Sequence, residues 1–271
     1  MESGPYIAAL PMYDWPERRQ DVDREWADIR DRLRARNIPA PEALIRRNAD
    51  MPPVPGGIRD RNGALIAPDP AELPPDEFDL FTLWRHPRLL YAQTCYGPME
   101  FGLAAEVSVV ADPDYSDVPG GHGAAYTSAL VTRRDRLNTI YGMVDGDLPP
   151  PSDGTALFQI EQLSGQRLAF NEEQSMSGYL ALKRDLEAAG SGLSVFSSLV
   201  ASGSHRQSMQ HVTNGIADIA AIDARTWQMA QTYLPEMTQR LAVIGWTARR
   251  PGLPFITNRR NAHVFQKAHT D

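Results

Sequence analysis

A single cysteine, Cys95, occurs among the 271 residues, and this scarcity excludes several kinds of site. One thiol forms no disulfide within the chain and cannot build a cysteine-rich zinc site. The six histidines include no His-x-x-x-His pair, and the spacing of six between His205 and His211 places them on different faces of a helix. Neither a P-loop nor a Gly-x-Gly-x-x-Gly fingerprint occurs. We therefore expect no bound metal and no cofactor.

A surplus of positive charge is also lacking, because the chain has 27 Lys and Arg but 34 Asp and Glu, which gives a formal net charge of −7. Nucleic acids and anionic membrane surfaces need a basic footprint, so neither is an expected partner. A small anion is still a possible ligand, since backbone amides at a helix N-terminus bind anions whatever the net charge. We expect a monomer that binds a small anionic ligand.

Long apolar runs are missing as well. No stretch of about 18 apolar residues occurs, so no transmembrane helix and no direct membrane insertion are predicted. The first residues lack the basic and apolar regions of a secretory leader. We expect a cytoplasmic protein if Met1 is the native start, and a periplasmic or otherwise extracytoplasmic one if a leader has been removed.

Strand-like and helix-like segments alternate along the chain, which is typical of an α/β architecture with mostly parallel sheets. The predicted strands are 6–10, 89–94, 107–111, 126–133, 167–171, 195–201, 217–222, 241–245 and 255–258. The predicted helices are 17–36, 78–84, 97–105, 177–189, 205–214 and 224–233. Prolines and turn pairs interrupt the alternation at about 45–77, where we expect an irregular excursion with a hairpin near 58–66.

The segment Ser175-Met176-Ser177-Gly178 opens one of these helices directly after a strand and a short loop. Serine hydroxyls cap helices by accepting from the free N–H groups of the first turn, which is the ordinary interpretation. A glycine at the same place lets a ligand approach the backbone. Two hydroxyls with exposed amides at the positive end of a helix dipole would also bind an anion.

Two more polar residues stand at the ends of the next predicted strands. His205 begins the helix after 195–201, where it either lies on the surface or donates to an anion. Asp223 ends the strand 217–222, where it either caps the following helix, accepts from a protonated ligand group, or orients His205. Open α/β sheets bind ligands at the carboxyl ends of their strands, so the common placement favours a binding site.

In these residues the chain resembles the phosphonate/phosphite-type substrate-binding proteins of ABC transporters. Ser175-Met176-Ser177-Gly178 is similar to the family's Ser-Thr-Ser-Gly motif, with Met176 in place of a hydroxyl residue. His205 follows at the family's spacing, and Asp223 matches a later acid. The resemblance extends to Tyr13 after the first strand and to Tyr96, as aromatic walls of the ligand cleft; we add Trp15 as a third aromatic candidate.

The resemblance implies a type II periplasmic-binding-protein fold, in which two α/β lobes joined by two crossing segments close over the ligand. We expect lobe one at 1–112 plus 240–271 and lobe two at 113–239. The implied ligand is phosphonate, phosphite or a phosphate-like oxyanion, and the implied partner is an ABC permease. The implied ligand-binding residues are Ser175, Met176, Ser177, Gly178, His205, Asp223, Tyr13, Tyr96 and Trp15.

Two alternatives stay open at this point. The first is a ligand sensor with the same fold and no transport role. The second is an enzyme, such as a hydrolase that uses His205 and a serine. No Gly-x-Ser-x-Gly elbow surrounds Ser175 or Ser177, which argues against the enzyme.

Overall fold

The computed structural model describes residues 5–138 and 147–266. Two compact units divide the chain, one formed by Met1–Asp112 with Leu253–Asp271 and the other by Pro113–Gly252. The strands are β1 (Ile7–Ala9), β2 (Ile58–Arg59), β3 (Leu65–Ala67), β4 (Leu89–Gln93), β5 (Val107–Ala111), β6 (Ala125–Tyr126), β7 (Ser128–Arg133), β8 (Arg167–Phe170), β9 (Ser198–Ala201), β10 (Ile219–Asp223), β11 (Leu241–Trp246), β12 (Arg250–Pro251) and β13 (Phe255–Asn258). The α-helices are α1 (Arg19–Ala35), α2 (Leu80–Arg85), α3 (Tyr96–Glu100), α4 (Ile160–Leu163), α5 (Ala181–Ala188), α6 (His205–Thr213), α7 (Ala224–Tyr233), α8 (Pro235–Thr238) and α9 (Ala262–Gln266).

The first unit is built on a sheet with the strand order β1-β4-β13-β5. Alternate residues of a strand point to opposite faces of a sheet, and here the two faces carry separate apolar clusters. Ile7 and Ala9 belong to one cluster, whereas Ala8 belongs to the other. The second cluster includes Val22, Trp26 and Leu33, so the predicted apolar face of α1 is the face that packs on the sheet.

The proline-rich excursion is folded against this first unit. Asn48 is buried, and its side chain donates to the carbonyl of Pro74 and accepts from the N–H of Asp79, at 2.8 Å each. Asp69 accepts from the N–H of Val54 at 2.9 Å. The predicted hairpin is present as β2 and β3. Side-chain caps of this kind order a segment that has little regular secondary structure of its own.

The second unit is built on a sheet with the strand order β11-β7-β10-β8-β9. β8 is parallel to both β10 and β9, as the alternation of strands and helices predicted. Leu130, Leu168, Leu182 and Ile219 belong to the apolar cluster that packs against this sheet. The carboxyl ends of three parallel strands therefore meet at one edge of the sheet.

The expectation of mostly parallel sheets was wrong. The sheets are mixed instead of mostly parallel, because β13 is antiparallel to β4 and β5, and β7 is antiparallel to β10 and β11. β7 is the first strand of its sheet after the chain enters the second unit, and β13 is the first after it returns. Parallel neighbours need a crossover connection, usually a helix, between two strands of the same sheet. Neither β7 nor β13 is reached through such a connection.

The predicted return to lobe one at residue 240 is also too early. β11 pairs with β7 and β12 pairs with β6, so residues up to Gly252 belong to the second unit. Apolar strand sequences look alike in either unit, and only the pairing partner decides the assignment. The predicted strand 126–133 is in fact two strands, since β6 pairs with β12 and β7 with the main sheet.

Several local boundaries differ from prediction. The predicted helix 97–105 breaks at Gly102, whose φ of 107° is left-handed, and continues as a 3₁₀ turn at Leu103–Ala105. The predicted strand 195–201 begins only at Ser198, and the short helix α4 was not predicted. No helix in the described ranges is long and apolar enough to cross a bilayer.

Candidate functional site

The helix that follows β8 opens with an unusual first turn. Its cap is Ser175, whose Oγ accepts from the N–H of Gly178 at 3.2 Å. The carbonyl of Ser175 accepts from the N–H groups of both Tyr179 and Leu180, at 3.3 and 3.0 Å. The bond to Leu180 spans five residues, so Met176–Leu180 is a π-helical turn that leads into α5. The predicted helix 177–189 is thus present, and this widened turn, a class frequent at functional sites, is its N-terminus.

Ser177 and His205 meet at this turn. The Oγ of Ser177 lies 2.8 Å from Nε2 of His205, although the two residues are 28 positions apart in the sequence. His205 is the first residue of α6, and the preceding Ser204 caps that helix by accepting from the N–H of Gln207 at 3.2 Å. The sequence therefore places each residue at a capped helix N-terminus, and the fold brings the two termini together.

The connection after β9 is held against the end of β8 by backbone hydrogen bonds. The N–H of Ser202 donates to the carbonyl of Phe170 at 2.8 Å, and the N–H of Gly203 donates to that of Asn171 at 2.9 Å. These bonds continue the parallel pairing of β8 and β9 beyond the strands themselves. Because of them, α6 begins beside the π-helical turn.

His205 is neutral at physiological pH. Burial lowers the pKa of its imidazole to about 4, and the nearby backbone of Ala221 only partly opposes this shift. That backbone contact falls outside hydrogen-bond geometry, since buried Nδ1 has no hydrogen-bond partner among the described residues. Ser175 and Ser177 are buried, at 4% and 5% exposure, whereas His205 is half-buried. The pair is thus partly shielded from water, and hydrogen bonds are stronger in such surroundings than in solvent.

At Gly178 the backbone of the π-helical turn lies close to the side chains of Asn171 and His205. A Cβ at this position would collide with Oδ1 of Asn171 and would lie 3.2 Å from Cε1 of His205. Oδ1 of Asn171 is buried and has no hydrogen-bond partner in the described part of the chain. Asn171 was not among the predicted site residues, although its position directly after a strand is the signal that identified the others.

Asp223 is buried at 2% exposure and caps α7, where its Oδ1 accepts from the N–H of Thr226 at 2.8 Å. The sequence left capping and ligand binding open for this residue, and the structure shows the cap. Nδ1 of His205 has no hydrogen-bond partner among the described residues, so Asp223 does not orient the imidazole through that atom. Acceptance from a ligand group stays a prediction.

Met176 is buried at 3% exposure, and its Sδ lies 3.7 Å from Nη1 of Arg184. The side chain therefore packs along its own helix. The backbone of Met176 is the first residue of the π-helical turn. A role of its side chain in ligand binding stays a prediction.

The aromatic candidates belong to the first unit. Tyr13 and Trp15 follow β1, and Tyr96 begins α3 after β4; β1 and β4 are parallel neighbours, so these residues follow adjacent strand ends. Tyr13 is buried at 7% exposure, whereas Trp15 and Tyr96 are half-buried. Burial, aided by the charge of Asp112, raises the pKa of Tyr96. Their roles as ligand contacts stay predictions.

Residues suited to hold a metal do not cluster in the described ranges, where no group of three or more His, Cys, Asp or Glu side chains comes together. The chemistry of the site after β8 and β9 is that of hydroxyl, amide and imidazole donors at helix N-termini. Such a set binds oxyanions.

The sequence matches the family model of the periplasmic substrate-binding proteins of phosphonate ABC transporters over residues 100–269. This match covers more than half of the chain, and it includes every predicted site residue of the second unit. The chain belongs to this family. The resemblance inferred from Ser175-Met176-Ser177-Gly178 is therefore confirmed, and so is solute binding for an ABC transporter as the function of the family.

Solved structures agree on the fold of this phosphonate-binding family member. PhnD1 from Prochlorococcus marinus, in complex with methylphosphonate, is 15% identical with a TM-score of 0.57, covering 97% of this chain and 81% of that one. A binding protein component of an ABC phosphonate transporter from Pseudomonas aeruginosa is 14% identical with a TM-score of 0.57, covering 97% and 72%. No curated protein sequence matches the chain. The likeness confirms the type II periplasmic-binding-protein fold.

Proposed function

We propose that this protein binds a small phosphonate-type oxyanion at the turn formed by Ser175, Ser177 and Gly178 together with His205, and delivers it to an ABC permease. The observation that carries the proposal is the 2.8 Å contact between Ser177 Oγ and His205 Nε2 at the N-terminal turn of a helix. Family membership supports the ligand class and the permease partner. The periplasm is the compartment in which the family works.

The chemistry of binding follows from the donors at this turn. Ser177 and His205 satisfy each other by a hydrogen bond. An oxyanion that enters beside Gly178 would accept from the Ser177 hydroxyl and from Nε2–H of His205 in place of that mutual bond. Bonds to an anionic acceptor are about twice as strong as neutral ones, so the exchange favours the bound state. The positive end of the helix dipole adds to the attraction.

The same pair is also the observation that would favour a hydrolase, since a serine within hydrogen-bond reach of a histidine is a nucleophile–base arrangement. Two features argue against catalysis. A pKa of about 4 makes His205 a weak base, whereas general bases work best with a pKa near the working pH. The third group that orients the base in a triad is missing at Nδ1 among the described residues. Binding without turnover is therefore the better-supported function.

Isothermal titration calorimetry with methylphosphonate, phosphite and inorganic phosphate tests the proposal. We expect Ser177→Ala and His205→Gln to weaken the best ligand by about 10- to 100-fold, since each loses a charge-assisted hydrogen bond of about 1.5–3 kcal/mol. Ser194→Ala is the matched control, because Ser194 is exposed in the same unit. Binding that is equally strong in all three variants would refute this site.

The alternatives give different results in companion assays. Release of product from an activated ester, lost in Ser177→Ala, would indicate an enzyme. Ligand binding that is normal but never coupled to uptake by cells carrying a cognate permease would indicate a sensor of the same fold.

A further inference from the structure

A cluster of cations lies in the first unit and includes no residue of the proposed oxyanion turn. A cavity of about 380 Å³ is lined there by five arginines and a single carboxylate, that of Glu106. The arginines are Arg59, Arg61, Arg85, Arg259 and Arg260. Such a concentration is unexpected in a chain whose formal net charge is −7.

These arginines reach the cavity from three separate parts of the chain. Arg59 and Arg61 come from the hairpin β2–β3 of the proline-rich excursion. Arg85 ends α2, and residues 259–260 follow β13. Like charges repel, so a fold that brings five of them together stores an unfavourable electrostatic energy unless an anion joins them. The excursion, which had no role in the sequence analysis, supplies two of the five.

In the part of the chain that the structure describes, no carboxylate forms an ion pair with this cluster. Among the described residues, none of the five guanidinium groups forms an ion pair; their hydrogen bonds go to backbone carbonyls instead. Arg59 donates to Gly63 at 2.8 Å, Arg259 donates to Ala104 at 2.7 Å, and Arg61 makes none of these bonds. A guanidinium has five N–H donors, so most donors of the cluster remain available.

Arg85 is the member for which the lack of an ion pair matters most. Its side chain is half-buried against the ring of Phe81, with the guanidinium carbon 5.8 Å from the ring centroid. Burial lowers its pKa, and the more distant charges of Glu106 and Asp79 only partly oppose this shift. A partly desolvated cation without a close counter-ion is costly, and a bound anion would remove that cost.

From this geometry we infer that the arginine cavity binds a small polyanion carrying at least two phosphate-type groups. Guanidinium groups bind phosphate oxygens in pairs of parallel hydrogen bonds, and five of them exceed what one phosphonate group can satisfy. The volume lies in the range of about 300–1,000 Å³ that is typical of small-molecule sites. Every lining residue belongs to the first unit, so this site is separate from the turn at Ser177.

Calorimetry with pyrophosphate on the whole chain at low ionic strength tests the inference. We expect Arg61→Gln combined with Arg260→Gln to weaken pyrophosphate binding by about tenfold or more. The matched control combines Arg19→Gln with Arg32→Gln, which removes the same charge from exposed positions of α1 in the same unit. Ser177→Ala serves as a second control, and we expect it to leave pyrophosphate binding unchanged. Neither double variant should unfold at a lower midpoint than the wild type, since the four substituted arginines are exposed, and loss of two charges from the cluster relieves repulsion.

A second arm distinguishes the two sources of phosphate. Sedimentation with cardiolipin vesicles, whose headgroup carries two phosphates, shows whether a lipid headgroup occupies the cavity in place of a free polyanion. The site is supported if the Arg61/Arg260 double variant, and no control variant, loses binding of pyrophosphate or of vesicles. The probe whose binding is lost identifies the source of the phosphate groups. The inference is overturned if neither probe binds, if the Arg19/Arg32 double variant loses as much affinity, or if Ser177→Ala abolishes pyrophosphate binding.

Discussion

The half-buried imidazole of His205, whose Nδ1 is inaccessible to solvent, predicts a specific loss of stability in mild acid. The pKa is about 4 in the folded protein, against the ordinary value of 6.5 expected in the unfolded chain, so the unfolded chain binds a proton between these values and the folded chain does not. Stability is therefore unaffected above about pH 6.5 and falls as the pH decreases toward 4. Each pH unit in this window costs up to about 1.4 kcal/mol, which amounts to about 2–3 kcal/mol at pH 4.5.

Urea unfolding at pH 7.0, 6.0, 5.0 and 4.5 measures this loss. His205→Gln removes the titrating group, so we expect the free energy of unfolding of the wild type, relative to that of His205→Gln, to fall by about 2–3 kcal/mol across the series. His122→Gln is the control, because His122 is exposed and its variant should lose stability as the wild type does. Asp218 does not affect this measurement. Its pKa is lowered to about 2, so its contribution to the free energy of unfolding is retained from pH 7.0 to 4.5.

A difference between wild type and His205→Gln that stays constant from pH 7.0 to 4.5 would refute the reasoning. It would mean that the imidazole is hydrated in solution and titrates as it does in the unfolded chain. A bound oxyanion should raise the pKa of His205, whereas burial lowers it, because a nearby negative charge favours the protonated ring. Saturating methylphosphonate should therefore reduce the acid-induced loss, and the same titrations with ligand present measure this reduction.

Three further predictions concern single side chains. Gly178→Ala places a Cβ against Asn171, so we expect ligand affinity measured by calorimetry to fall by tenfold or more, while Gly190→Ala, outside the site, should leave affinity unchanged. Asp218→Asn should cost about 1 kcal/mol in urea unfolding above pH 4, after allowance for solvent screening of its ion pair with Arg167, and the cost should disappear as the pH falls toward 2. Asn48→Ala should lower the free energy of unfolding by about 1–3 kcal/mol, because it removes two hydrogen bonds of about 0.5–1.5 kcal/mol each, to the Pro74 carbonyl and from the Asp79 N–H; no loss in thermal or urea unfolding would contradict this.

Much of the fold could be predicted because it depends on local patterns. The apolar positions of α1 repeat at helical spacing, and Val22, Trp26 and Leu33 are the residues that became buried. The helices α6 and α7 begin where Ser204 and Asp223 cap them, which is a signal carried by one residue and its next three neighbours. The direction of a strand carries no such local signal, and for that reason β7 and β13 were wrongly included in mostly parallel sheets.

Part of the candidate site was likewise predictable. Ser175, Ser177, Gly178 and His205 were identified because each stands where a strand has ended and a helix begins. Asn171 was missed, since an asparagine after a strand is ordinary and what distinguishes it is a buried oxygen beside Gly178 that has no hydrogen-bond partner within 5–138 and 147–266.

The sequence by itself determined which residues begin helices, which faces are apolar and which family the motif resembles, because these depend on neighbours within a few positions. Tertiary structure alone decided that Ser177 contacts His205, since that contact requires β8 and β9 to pair in parallel. It also decided that His205 is neutral and that Arg61 shares a cavity with Arg260, nearly 200 positions later. A pKa and a charge cluster depend on what surrounds a group in space, and the fold is what supplies those surroundings.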